Sequence, residues 1–223
     1  MPGKIFCVSF HKSGTTSLHH FLRSAGIKSL HYPRRHKNVV LRRKCKPGMT
    51  GHEIMTIFAP VLDSYDAHLD APWPGLLPEI LRTYPDARII LLTRDSHDWW
   101  ASLVRHWRLD YFACGLTSFE QIQYRDYLGT KSMVRLADKN SMIDAYNRHN
   151  ERVRKIVPHS QLFESRLDDP ALGDRLSSYL KLETPSPFPR LQNKTASKPW
   201  PLFFRRLWRF LLSLPANLKA KAN

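Results

Sequence analysis

The sequence predicts an α/β fold in which a central parallel β-sheet is covered by helices on both faces. Two apolar runs, residues 4–10 and 87–93, are short and nearly continuous, as strands buried on both faces are. Each is followed by a turn and then by helical spacing, and strands that alternate with helices argue for a parallel sheet. A length of 223 residues is enough for one domain of ordinary size with a substantial core.

The elements follow in order. The first strand ends at a Gly14-Thr15-Thr16 turn, and a helix over 17–25 presents Leu18, Phe21 and Leu22 before Gly26 stops it. Residues 65–69 form a strand and 76–84 a helix, with Pro72, Pro74 and Pro78 at the junction. The 87–93 strand follows a Pro85-Asp86 turn, and a helix over 96–107 lies behind it. Helices over 118–128 and about 132–157, a strand over 161–164 and a helix over 171–180 complete the domain. Residues 184–201 contain five prolines and form an irregular arm, and 202–214 read as a basic, aromatic helix. The expected division is a domain over 1–198 and a basic amphipathic tail over 199–223.

Charge narrows the chemistry. There are 35 Lys and Arg against 19 Asp and Glu, a formal +16, which attracts phosphate, sulfate, nucleic acid or an anionic bilayer. Eight of those charges lie in residues 184–223, which contain no acid. A second block comprises Arg34, Arg35, Lys37, Arg42, Arg43, Lys44 and Lys46, read as a loop that favours acidic substrates if it lies near a cleft. A hydrophobic content of 42% excludes disorder for most of the chain, and no apolar run approaches the roughly 18 residues of a membrane span. Cys7, Cys45 and Cys114 form no CxxC pair, so neither a disulfide framework nor a zinc site is expected. No signal-peptide pattern opens the sequence, and a reducing, cytoplasmic location fits.

Two segments carry chemistry. His11-Lys12-Ser13-Gly14-Thr15-Thr16-Ser17 joins a buried strand to a helix, where free N–H groups and the helix dipole favour an anion. Gly14 permits close backbone approach, Lys12 supplies charge, and Ser13, Thr15, Thr16 and Ser17 supply hydroxyl donors. A helix capped by Ser or Thr that binds nothing reads the same way. The segment is not a Walker A loop, because its lysine precedes the glycine. In the second segment Arg94 stands at the carboxyl end of a strand, where open α/β sheets bind ligands, and Ser102 lies two helical turns on. The alternative for Arg94 is an ion pair with Asp95 or Asp98.

Together these segments resemble the sulfotransferases that use 3′-phosphoadenosine 5′-phosphosulfate, and within them a branch of single-domain sulfotransferase-like proteins. The resemblance rests on Gly14 to His19, Asp70-Ala71-Pro72, Pro85 to Asp95, Trp99-Trp100 and Tyr146-Asn147-Arg148-His149, and spans residues 4–195. It implies a P-loop-like three-layer fold and transfer of a sulfuryl group to a hydroxyl or amine. Lys12 and the loop from Ser13 to Ser17 would hold the 5′-phosphosulfate, and Arg94 with Ser102 the 3′-phosphate. Arg190, Asn193 and Lys194 of the arm would close over that phosphate. No metal is implied. Many cytosolic members have a tryptophan where this chain has Ser17, so no adenine-stacking residue is assigned, and Trp99-Trp100 reads as helix packing with one ring inward.

The resemblance also implies a base near the end of the second strand, an acid or a histidine. Strand alternation puts His68 and Asp70 on one face. Asp70 is favoured because it matches the Asp-x-Pro element, His68 is second, and His52 and Glu53 are distant choices; Asp70 as a helix cap is the plain alternative. The acceptor is a small molecule, a lipid or a glycan. The tail either docks on an anionic membrane at its inner face or covers a groove of the domain. A kinase with a degenerate loop, or a basic module for membrane or nucleic acid, competes with the transferase. The first lacks a Walker lysine, and no specific nucleic-acid module is present.

Overall fold

The computed structural model describes residues 3–107 except 35, 38 and 47, together with 118–128, 139–183, 187–189 and 191. Five parallel strands form its sheet: β1 (Ile5–Cys7), β2 (Ser29–His31), β3 (Ala67–Leu69), β4 (Arg88–Thr93) and β5 (Leu162–Arg166), in the order β2-β3-β1-β4-β5. Ile5 pairs with Ala67 on one side and Arg88 on the other, so β1 is central. The chain leaves β1 toward β2 and returns through β3, whereas β4 and β5 extend the sheet in the other direction. A crevice therefore opens at the carboxyl end of β1, between connections that run opposite ways.

Alternation along β1 builds two cores. Ile5 and Cys7 face α1 (Thr15–Ser24) and α8 (Leu172–Leu180), packing with Leu18, Phe21, Leu22, Leu172, Leu176 and Leu180. Phe6 and Val8 face the other layer, formed by α3 (Gly51–Ser64), α4 (Leu77–Thr83), α6 (Ser118–Leu128) and α7 (Lys139–Ile156), through Ile54, Phe58, Leu77, Ile80, Phe119 and Val153. Phe10, Trp99, Leu103, Tyr124, Met142 and Tyr146 form a third cluster, to which α5 (Ser96–Trp107) contributes.

The expected α/β architecture with a parallel central sheet and helices on both faces is present. Several elements differ. Edge strand β2, the single turn α2 (Leu41–Lys44) and α3 occupy a stretch with no expected regular structure, so the basic block is only partly loop. The helix expected over 76–84 is α4, one residue shorter at each end, and a 3₁₀ turn (Trp73–Leu76) precedes it. The long helix is described from Lys139; residues 132–138 lie outside the described residues, as do Cys114 and the tail.

Candidate active site

Three connections converge on the crevice, those after β1, β3 and β4. After β1, Lys12 has φ 71° and Gly14 φ 87°, so the chain turns sharply through the left-handed region before entering α1. At Gly14 the backbone angle disfavours any side chain, and a Cβ, 2.4 Å from Leu167 Cδ1, would also force that side chain to shift. No side chain caps α1, and its first turn carries no acid. The start of α1 therefore favours an external anion. Ser13 is wholly buried and its hydroxyl has no partner. Such a group is costly unless an acceptor arrives.

The turn is held from beneath. Phe10 stacks on His149, with ring centroids 4.1 Å apart, and His149 Nε2 lies 2.6 Å from the carbonyl of Val8. A carbonyl only accepts, so Nε2 carries the proton, and Nδ1 accepts from Tyr127 Oη at 3.0 Å. Burial pushes His149 down to about 4. Trp99 Nε1 donates to the His11 carbonyl at 2.9 Å, and the His11 ring meets Gln123 and Tyr124 at 2.9 and 3.1 Å. Trp99 is buried against Tyr146 with centroids 4.5 Å apart, and Trp100 is half-buried, as expected of helix packing.

After β4, the backbone N–H of Arg94 donates to Tyr146 Oη at 3.0 Å. Its Nε is buried without a partner, and among the described residues Arg94 makes no ion pair. Asp95 instead caps α5, accepting from the N–H groups of His97 and Asp98 at 2.9 and 3.0 Å. Ser102 is half-buried on α5. Beside Arg94 a cleft of about 430 Å³ opens between β5 and α7, lined by Asn147, Asn150, Glu164 and Arg166 among others. Lys12 is held below the usual lysine range, first by burial and further by the charges of Arg94 and Arg105, against an opposing pull from Asp70. The site thus gathers cations from three elements.

After β3, Asp70 has φ 73° and only 8% exposure. Its Oδ2 lies 3.0 Å from His31 Nε2, and its Oδ1 accepts from the Ala71 N–H at 2.8 Å. It does not cap the following 3₁₀ turn. Burial raises its carboxyl, but the His31 hydrogen bond and charge, His11 and the Ala71 N–H outweigh burial and leave it below the ordinary aspartate value.

His68 differs from its expected place. It lies on the β1 side of the core, stacked on Phe6 at 5.1 Å and edge-on to Trp73, with no exposure. Burial and the charge of Lys4 push it down to about 3. The alternation that put it beside Asp70 fails because β3 ends at Leu69 and the positive φ of Asp70 turns its side chain toward β2 and α1. His52 and Glu53 lie in the exposed first turn of α3. The arm reaches the loop: the Leu191 N–H donates to Ser17 Oγ at 3.2 Å, and Phe188 packs on Phe21. Arg190, Asn193 and Lys194 lie outside the described residues. Sequence reasoning missed His31, whose signal was a lone ionisable residue ending a short run before Tyr32-Pro33.

Comparison with known proteins bears on the family and the fold. A family model described as a sulfotransferase domain matches residues 4–197. Ava biosynthesis cluster protein M of Aspergillus versicolor is 25% identical over 183 residues, covering 72% of this chain and 70% of that protein. The crystal structure of a sulfotransferase from Alicyclobacillus acidocaldarius superposes with a TM-score of 0.51 at 15% identity, covering 95% of each chain, a likeness of fold. With that family model matching residues 4–197 of 223, the chain belongs to the sulfotransferase family.

Proposed function

We propose that this sulfotransferase takes its sulfuryl group from 3′-phosphoadenosine 5′-phosphosulfate and passes it to a hydroxyl of a small-molecule, lipid or glycan acceptor. The observation that carries the reading is the pair of buried, unpartnered donors, Ser13 Oγ and Arg94 Nε, on separate loops at one sheet end, with Lys12 close enough to feel the charge of Arg94. Two anionic groups on one ligand suit two such sites, and a donor bearing both a 5′-phosphosulfate and a 3′-phosphate has them.

The residues fit that donor. Lys12, the hydroxyls of Ser13, Thr15 and Thr16 and the N–H groups opening α1 bind the 5′ end and stabilise charge on the leaving oxygen. Arg94, with Ser102 on the next helix, binds the 3′-phosphate, and the cleft beside it leaves space for the rest of the nucleotide. Asp70 accepts the acceptor's proton as its oxygen bonds to sulfur and the bond to the bisphosphate breaks. Fixed loops supply orientation, and their charges need no rearrangement during transfer. A kinase reading gains nothing from the loop, since Lys12 precedes Gly14, the reverse of the Walker A order.

Calorimetry tests the donor. Adenosine 3′,5′-bisphosphate binds without added metal, at least tenfold more tightly than AMP or ATP, and Arg94→Ala removes most of that preference. Equal affinity for AMP in the wild type overturns the 3′-phosphate assignment.

A further inference from the structure

We propose that His31 is the positioning residue of the site, a single imidazole N–H that ties the donor loop to the proton acceptor Asp70. The inference rests on Asp70 as the acceptor's base and adds the group that governs it. His31 ends edge strand β2, and its Nε2 lies 3.0 Å from Asp70 Oδ2 and 3.0 Å from Thr15 Oγ1. One nitrogen therefore serves two oxygens on two different elements.

The chemistry of the partners fixes the proton. An ionised carboxylate only accepts, so Nε2 must carry the hydrogen and share it. Thr15 Oγ1 is then an acceptor toward His31, and its own hydroxyl hydrogen is released toward the mouth of the loop, where an anionic oxygen of the donor is expected. The same hydrogen bond fixes the Asp70 carboxylate by one oxygen, as the Ala71 N–H fixes it by the other. Each oxygen retains a lone pair for the acceptor's hydroxyl.

A positioning role also sets the basicity of Asp70. The titratable groups facing it are His31 from β2, Lys12 and His11 from the loop after β1, Cys7 from β1 and Tyr124 from α6. His31 is the one among them whose hydrogen bond and charge together head the influences that lower it. Behind His31 stands His19, with ring centroids 5.9 Å apart, itself held by Ser29 Oγ at 3.0 Å. Glutamine at position 31 reproduces an N–H at the place of Nε2, and alanine does not.

The test follows the Asp70 carboxyl directly by ¹³C NMR, with Asp70→Asn to assign the signal. In the wild type it titrates below an ordinary aspartate. In His31→Ala it rises by about one pH unit, a tenfold change in proton affinity, and in His31→Gln it rises by less. Turnover of 3′-phosphoadenosine 5′-phosphosulfate is read in parallel as release of the bisphosphate in a lysate of acceptors. His31→Ala lowers kcat at least tenfold with little change in donor KM, and His31→Gln restores most of it. An Asp70 titration that is the same in wild type and His31→Ala, with the variant folded by thermal melt, overturns the inference. If the bisphosphate fails to bind the wild type, the donor reading falls instead, and the carboxyl titration still decides the role of His31.

Discussion

A buried histidine can serve a binding loop without touching its ligand, and His149 shows how. Its protonated Nε2 holds the Val8 carbonyl, its Nδ1 accepts from Tyr127, and its ring supports Phe10 just before Lys12. Neutrality is built in, since both nitrogens are committed and burial pushes the ring down to about 4. An unfolded chain binds that proton at the ordinary value of 6.5, so the native state is the weaker proton binder. The stability so conferred is complete above about pH 6.5 and is lost as the pH falls toward 4, on the order of 3 kcal/mol in total. His149→Gln removes this titration while keeping an N–H for Val8. Urea denaturation at several pH values should show the wild type losing stability on acidification faster than the variant. Parallel curves would assign the acid sensitivity elsewhere. Such a role was legible only as a pattern: Tyr146-Asn147-Arg148-His149 was recognised as a motif, but that its two rings brace the ends of β4 and β1 depends on contacts 52 and 141 residues apart.

At the scale of elements, α3 had a readable beginning. Thr50 and Glu53 form a reciprocal capping box: the Glu53 N–H donates to Thr50 Oγ1 at 3.2 Å and the Thr50 N–H to Glu53 Oε2 at 2.7 Å. These groups fix where the helix starts, and Ile54, Phe58, Val61 and Leu62 then face the core. Thr50→Ala leaves the apolar face intact and removes the side-chain acceptor, so it should cost about 1 kcal/mol in chemical denaturation. A loss near zero would mean that packing alone sets the helix start. The strands that carry the site, β1 and β4, were legible because each is apolar on both faces. Edge strand β2 was not, because it lies at the edge of the described sheet and its side chains are half-exposed at Leu30 and His31. His31 was missed with its strand, and Asp70 was found without the partner that orients it. Left-handed turns at Lys12 and Asp70 also escape a strand-alternation rule, which assumes extended backbone through the residue in question.

Over the whole molecule, the surplus of positive charge divides by task. Arg94 and Arg105 both bear on Lys12 at the crevice, and that repulsion is relieved when an anion binds beside it. Residues 199–223 have a different composition, with Arg205, Arg206, Arg209, Lys219 and Lys221 interleaved with Trp200, Phe203, Phe204, Trp208 and Phe210 and no acid. No helix of the described residues is long and apolar enough to cross a membrane. If the tail meets an anionic bilayer, apolar burial of its rings and headgroup attraction to its arginines add. The full chain should float with phosphatidylserine-containing vesicles and stay in solution with phosphatidylcholine alone. Truncation after residue 198 should abolish flotation while leaving bisphosphate affinity unchanged, because the crevice is built from residues before that point. Raising the salt should weaken flotation of the full chain, since roughly 1 kcal/mol per basic residue near the surface is screened within a Debye length. Flotation that survives truncation would move membrane binding to the Arg34 to Lys46 block; flotation absent in both forms would leave the tail to pack on the domain.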